Sequence, residues 1–154
     1  MALENVQNES LFIWDVKTIG IELVRGCNFR CVMCPVTAHD KLGIIQHMDL
    51  ELLEKITSQI EMNPTINTIW LFNFGEPLLH PRLRECLEIV SSSKVARNAN
   101  VIMHTNASLL KGEKADALLD IPIVKQLVIS FDGLGDKQSY EDLRSGQIAG
   151  IMVK

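Results

Sequence analysis

Short apolar runs alternate along this chain with stretches of helical periodicity, and the joins between them are brief. IELV (21–24), INTIWLFNF (66–74), NVIMHTN (100–106) and KQLVISFDG (125–133) read as strands, rich in β-branched residues and bounded by Gly, Pro or Asn. Between the first two, DLELLEKITSQIEMN places Leu50, Leu53, Ile56 and Ile60 at helical spacing, with Asp49 as N-cap and Asn63-Pro64 as a stop. A second helix is predicted from Pro81 to Ala96, burying Leu83, Leu87 and Val90, and a third over LKGEKADALLD (110–120). A fourth begins in SYEDLRSG (139–146). The order βαβαβαβ predicts parallel strands covered by helices. The nearly continuous apolar run TIWLF predicts burial on both faces of the sheet.

Parallel strands put their C-terminal ends on one rim, where barrels and open α/β sheets build their sites. That rim collects Cys27–Cys34, Gly75–Pro77, Thr105-Asn106 and Ser130–Gly133, segments unlike core sequence. The 154 residues are about one domain, long enough to bury a core. A net charge of −4 gives no general attraction to nucleic acid or an anionic membrane. The opening MALENVQNES lacks the basic and apolar regions of a secretory signal. No apolar run approaches the roughly 18 residues of a membrane span. The expected address is the cytoplasm, where thiols stay reduced and a disulfide framework is disfavoured.

Cys27, Cys31 and Cys34 have the spacing C-x3-C-x2-C. Soft thiolates so spaced can hold a zinc ion or an iron–sulfur cluster. Structural zinc takes four closed ligands, and the nearest fourth donors are His39 and His47. A [4Fe–4S] cluster on three cysteines instead leaves one iron open to a substrate or cofactor. Cluster, zinc and unrelated thiols all stand at this point.

CNFRCVMC (27–34), directly after a strand and followed by Pro35, resembles the signature loop of the radical S-adenosylmethionine (SAM) enzymes. The resemblance implies an α/β fold, a partial parallel (β/α) barrel with about four βα units of the family's usual six. It implies that Cys27, Cys31 and Cys34 ligate a [4Fe–4S] cluster whose fourth iron is chelated by SAM. Reductive cleavage of SAM then gives a 5′-deoxyadenosyl radical that abstracts hydrogen from a substrate. Met33 stands where the family has an aromatic or large apolar residue against the adenine; a thioether packs on such a face. Gly75-Glu76-Pro77 resembles the GEP element that binds the SAM ammonium, although Phe74 stands where many members carry another glycine. Ser130 of SFDG resembles the serine that contacts the ribose. Arg144 of SYEDLR resembles the arginine that grips the SAM carboxylate, a task for a bidentate fork. Asn106 of HTNAS sits where the third strand often ends in Thr-Asn. The wording CVMCP, FGEPLLHP and SFDG is most similar to members with a C-terminal SPASM or twitch extension. A peptide or cofactor-precursor substrate and a donor such as flavodoxin or ferredoxin are implied in the same way.

Other residues have plainer readings. Cys86 reads as a small buried hydrophobe on a helix, His80 as a helix entry, His104 as a strand residue, and His39 and His47 as loop residues. Trp14 and Trp70 are expected in the core. Asp132-Gly133 reads as turn chemistry, and Glu76 can instead cap the following helix while the backbone binds ligand. Residues 1–18 are expected to form an extension and 19–154 the N-terminal part of the family's core. An eight-unit barrel takes about 250 residues, so the fifth and sixth strands are not expected here. The last strand would then be an open edge, as in a truncated chain or one part of a split assembly completed by a second chain. Three function classes follow: a radical SAM enzyme or its cofactor-binding portion, a silent cluster-binding fragment, and a zinc-stabilised interaction module.

Overall fold

A computed structural model describes residues 16–35, 44–133 and 136–144. In chain order its elements are β1 (Thr18–Gly20), β2 (Val24–Arg25), β3 (Gln46–His47), α1 (Leu50–Glu61) and β4 (Thr68–Trp70). A 3-10 turn (Pro77–Leu79), α2 (Leu83–Ser92), α3 (Lys94–Asn98), β5 (Asn100–Thr105), α4 (Glu113–Asp120), β6 (Gln126–Ile129) and α5 (Lys137–Arg144) follow. β1, β4, β5 and β6 form one parallel sheet in that order, and β2 pairs with β3 antiparallel. Helices return the chain between successive sheet strands, as the alternation predicts.

The first sheet strand is Thr18–Gly20 rather than 21–24. It pairs in register with Thr68–Trp70, and Ile21 N–H adds one more bond to the Trp70 carbonyl at 2.7 Å. The run at 21–24 is still core, with Ile21, Leu23 and Val24 buried. Its path leaves the sheet plane so that Val24 can pair with His47 and hand the chain to Gly26. β1 also starts one residue before the boundary expected at 19. The single helix expected over 81–96 is two. Ser93 is extended (ψ 128°), and its hydroxyl accepts from Ala96 N–H as the N-cap of α3.

The core lies on one face of the sheet. Ile69, Leu71, Val101 and Met103 point to it and are fully buried against Leu53 of α1 and Leu83, Leu87 and Val90 of α2. Each such side chain contributes about 1.5–3 kcal/mol relative to exposure. The opposite face, which period-two alternation assigns to Trp70, Phe72, Ile102 and His104, is open. Burial on both faces is therefore not found, and Trp70 is 44% exposed rather than core. Phe72 stacks between its two neighbours, 5.7 Å from Trp70 and 3.9 Å from His104 between ring centroids. Trp14 and His39 lie outside the described residues. His47 belongs to β3 rather than to a loop.

Candidate functional site

The rim at the C-terminal ends of β4, β5 and β6 encloses a cavity of about 300 Å³. Every candidate residue except Pro77 lines it. Cys27, Cys31, Met33 and Cys34 come from the loop after β2, Gly75 and Glu76 from the turn after β4, Asn106 from the end of β5, Ser130 from the end of β6, and Arg144 from the last turn of α5. Pro77 is buried as the first residue of the 3-10 turn, a position where its missing N–H costs nothing.

Two glycines let the first two loops touch. Gly26 adopts φ +103°, and its carbonyl accepts from Glu76 N–H at 3.0 Å. A Cβ on Gly75 would lie 1.7 Å from the Val24 carbonyl oxygen, so no side chain fits there. The cysteine loop and the Gly75-Glu76 turn are thus packed backbone to backbone.

Glu76 is 2% exposed, yet its carboxylate is fully engaged. Oε1 accepts from Leu78 N–H at 3.0 Å and Thr105 Oγ at 2.7 Å, and Oε2 accepts from Asn106 N–H at 2.7 Å. Burial pushes its pKa up, and the donors from Asn106, Thr105 and Leu78 pull it back. The side chain fastens this turn to β5. Asn106 makes a similar bridge: its amide donates to Asn28 Oδ1 at 3.0 Å and to Cys27 Sγ at 3.6 Å, and its oxygen accepts from Ser108 N–H at 2.9 Å. Cys27 Sγ also accepts from Phe29 N–H at 3.3 Å. Burial pushes the Cys27 thiol pKa up, against that bond.

Arg144 closes the opposite wall. Its guanidinium donates to Cys31 Sγ at 3.8 Å and pairs with Asp132, and Val32 N–H bonds the Leu143 carbonyl at 3.0 Å. Cys31 packs with Phe29 and Tyr140, flanked by Cys27 and Cys34. Tyr140 is buried, and its hydroxyl has no hydrogen-bond partner among the described residues. Ser130 continues the sheet, its N–H bonding the Thr105 carbonyl at 2.8 Å. Met33 is half exposed at the mouth.

All four cysteines are free thiols. Among the described residues no three His, Cys, Asp or Glu side chains are arranged to hold a single metal ion. His47, one of the two nearest fourth donors for zinc, sits instead against His80, 5.5 Å between ring centroids. Three soft thiol donors line one cavity, a donor set that fits a sulfur-rich cluster.

The radical SAM superfamily profile matches residues 21–149. The chain belongs to the radical SAM superfamily. With membership come that superfamily's cofactors, a [4Fe–4S] cluster and SAM. The tungsten-containing aldehyde ferredoxin oxidoreductase cofactor-modifying protein of Pyrococcus furiosus is 30% identical over 110 residues, 70% of this chain and 29% of that protein. BtrN in complex with AdoMet and 2-DOIA superposes with a TM-score of 0.63 at 21% identity, over 73% of this chain and 44% of that one. Native anSMEcpe with bound AdoMet gives 0.62 at 21% identity, over 83% and 35%. These likenesses show a shared fold, and this radical SAM chain spans less than half the length of each of the three.

Several residues that support the cavity's lining from behind carry no motif signal. Asn28, Ser108 and Tyr140 are ordinary loop and helix residues by sequence, visible only once the three loops converge. Asp132 reads as a turn residue, and its pairing with Arg144 across the wall depends on tertiary structure. His80 is more than a helix entry. It is buried, its Nδ1 accepts from Arg82 N–H at 3.1 Å, and its Nε2 lies 3.0 Å from the Met48 carbonyl. Burial, chiefly, pushes its pKa down, consistent with a neutral ring that donates from Nε2. Cys86 is fully buried beside it, with its thiol pKa pushed up to about 12 by burial.

Proposed function

We propose that this chain forms the cluster- and SAM-binding portion of a radical SAM enzyme. The observation that supports it is the convergence of three free cysteines and the Gly75-Glu76, Asn106, Ser130 and Arg144 positions on one cavity. On this reading residues 19–154 are the N-terminal part of the core, preceded by an extension at 1–18.

Cys27, Cys31 and Cys34 would hold the [4Fe–4S] cluster. The bound pair would supply reductive cleavage of SAM to a 5′-deoxyadenosyl radical, the chemistry the cofactors carry. The protein's own part is placement and exclusion. The backbone of the Gly75-Glu76-Pro77 turn offers acceptors to an ammonium, with Pro77 shaping the turn from beneath. Ser130 offers a hydroxyl to a ribose, Met33 a polarizable face to a purine, and Arg144 a guanidinium to a carboxylate. Asn106 holds the cysteine loop against β5. A reductant such as flavodoxin or ferredoxin would deliver the electron. The Pyrococcus furiosus relative favours a cofactor precursor over a peptide as substrate class. Further barrel strands, in this polypeptide or a second chain, would complete the substrate side.

Anaerobic reconstitution tests this. About four irons and four sulfides per chain, lost in Cys27→Ala, Cys31→Ala and Cys34→Ala, support the cluster; stoichiometric zinc instead would establish the interaction module. SAM-dependent 5′-deoxyadenosine under reduction supports the enzyme. A loaded cluster that leaves SAM intact would reduce the chain to a silent binder.

A further inference from the structure

Arg144 reaches the cavity from the last turn of α5, and a second charged side chain fixes its position there. Nη2 pairs with the Asp132 carboxylate, and Nη1 donates to Cys31 Sγ at 3.8 Å. Both Arg144 and Asp132 line the cavity, and the arginine side chain is 13% exposed against 40% for the aspartate. A pair this far out of water is screened less than one on the open surface. An arginine side chain has many rotamers, so a tether set before a ligand arrives lowers what binding must later order.

The chain around Asp132 is a rigid mount. Ser130 N–H bonds the Thr105 carbonyl at 2.8 Å, tying the end of β6 to β5 two residues before the aspartate. The Phe131 ring lies 5.2 Å from that of Tyr140 between centroids. Gly133, at φ +104°, has no room for a side chain: a Cβ there would meet Ser139 Oγ at 2.8 Å and Tyr140 N at 2.9 Å. The residues on either side of Asp132 therefore close on α5. At its far end α5 is fixed by the Leu143 carbonyl, which accepts from Val32 N–H at 3.0 Å.

A guanidinium carries five N–H donors in a planar fork, so the one engaged by Asp132 does not exhaust it. Cys31 draws on the other terminal nitrogen. Its sulfur is a weak acceptor as a thiol, but as an iron-bound thiolate it carries negative charge and pulls the fork toward the cluster. The Asp132 carboxylate opposes that pull. We propose that Asp132 is a positioning residue for SAM: by pairing with Arg144 it holds the guanidinium where the fork receives the ligand's carboxylate, and it does not itself touch SAM. The inference rests on the SAM-binding role proposed above for Arg144.

The test compares two ligands that differ by one group, SAM and decarboxylated SAM. Each is titrated anaerobically into the reconstituted protein by calorimetry, with the cluster oxidised so that neither is cleaved. The parent is expected to bind SAM more tightly. Asp132→Asn is expected to weaken SAM roughly tenfold, the worth of one charge-assisted contact, and decarboxylated SAM by less than about twofold. With Arg144→Ala already in place, adding Asp132→Asn is expected to change neither affinity beyond about twofold, because its effect runs through the arginine. Equal losses for both ligands would show a structural clamp or a direct contact with the shared ammonium. Tighter SAM binding would show that Asp132 competes with the ligand for the fork. Either result overturns the inference, as does a selective loss that persists without Arg144. Should Asp132→Asn take up no cluster, Asp132→Glu decides by the ratio of the two affinities. It moves the carboxylate outward by one methylene, so a fall in SAM preference supports the inference and an unchanged preference overturns it. A loaded parent that binds both ligands alike would overturn the role of Arg144 itself, and this inference with it.

Discussion

Glu76 shows how one side chain can be chosen for what it ties together. Three donors from two segments meet its two oxygens, and nothing exposed competes for them. Glu76→Gln keeps the shape but sets an amide N–H₂ against one of those donors, at a cost of about 1–3 kcal/mol. Urea denaturation of the apo protein checks this at neutral pH. The folded-state pKa of Glu76 is raised above the ordinary 4.5, so the folded state binds the proton more tightly than the unfolded one. The stabilisation that comes from this group's proton is complete below the unfolded pKa and is lost as pH rises through the folded value. The stability of the parent relative to Glu76→Gln should therefore fall as pH climbs from about 4.5 through that window. A flat difference across it would show that burial does not dominate at this carboxylate. The glutamate's position at the rim was legible from the Gly-Glu-Pro triplet. Its partners were not, because Thr105 and Asn106 lie 29 and 30 residues further along the chain.

At the scale of elements, the join between α2 and α3 is the informative miss. Leu83, Leu87 and Val90 set a helical period, and no Gly or Pro interrupts the chain before Ala96, so sequence alone carries one helix across Ser93. Within SSSKVA any serine can cap, and the choice falls on Ser93 because Glu61 of α1 is there to receive it. Glu61 Oε2 accepts from Ser93 Oγ at 2.6 Å and from Val95 N–H at 3.1 Å. Ser93→Ala removes the cap and one arm of that bridge, and should destabilise the fold by about 1 kcal/mol in urea denaturation. A change within experimental error would mean that helix packing alone holds the break. The first strand missed for a related reason. Hydrophobicity at 21–24 reported burial correctly, but pairing partners at 68–70 and 46–47 decided which residues join which strands.

For the molecule as a whole, one side of the sheet is finished and the other is not. Helices cover Ile69, Leu71, Val101 and Met103, while on the other face Phe72 and His104 open toward the cavity and Trp70 is exposed beside them. Apolar content in TIWLF could not distinguish a face packed against helices from one that looks inward on a site. The parallel order and the shared rim were legible, since alternation and short joins leave few other topologies. If this cavity seats SAM on the loaded cluster, SAM at about a hundred times its Kd should stabilise the loaded protein by about 2.7 kcal/mol. For a chain of this size that is a rise in Tm of roughly 5–11 °C, read by thermal melts under nitrogen. The cluster-free protein should not respond; an equal rise there would place the nucleotide elsewhere.

The contact between Gly75 and the Val24 carbonyl has a practical corollary for anyone recombining such proteins. Segments that meet with no room for a single methyl behave as one casting, though about fifty residues of chain separate them. A chimera that borrows the cysteine loop from one parent and the neighbouring turn from another should misfit at that seam, whereas exchanging both together should transplant cleanly.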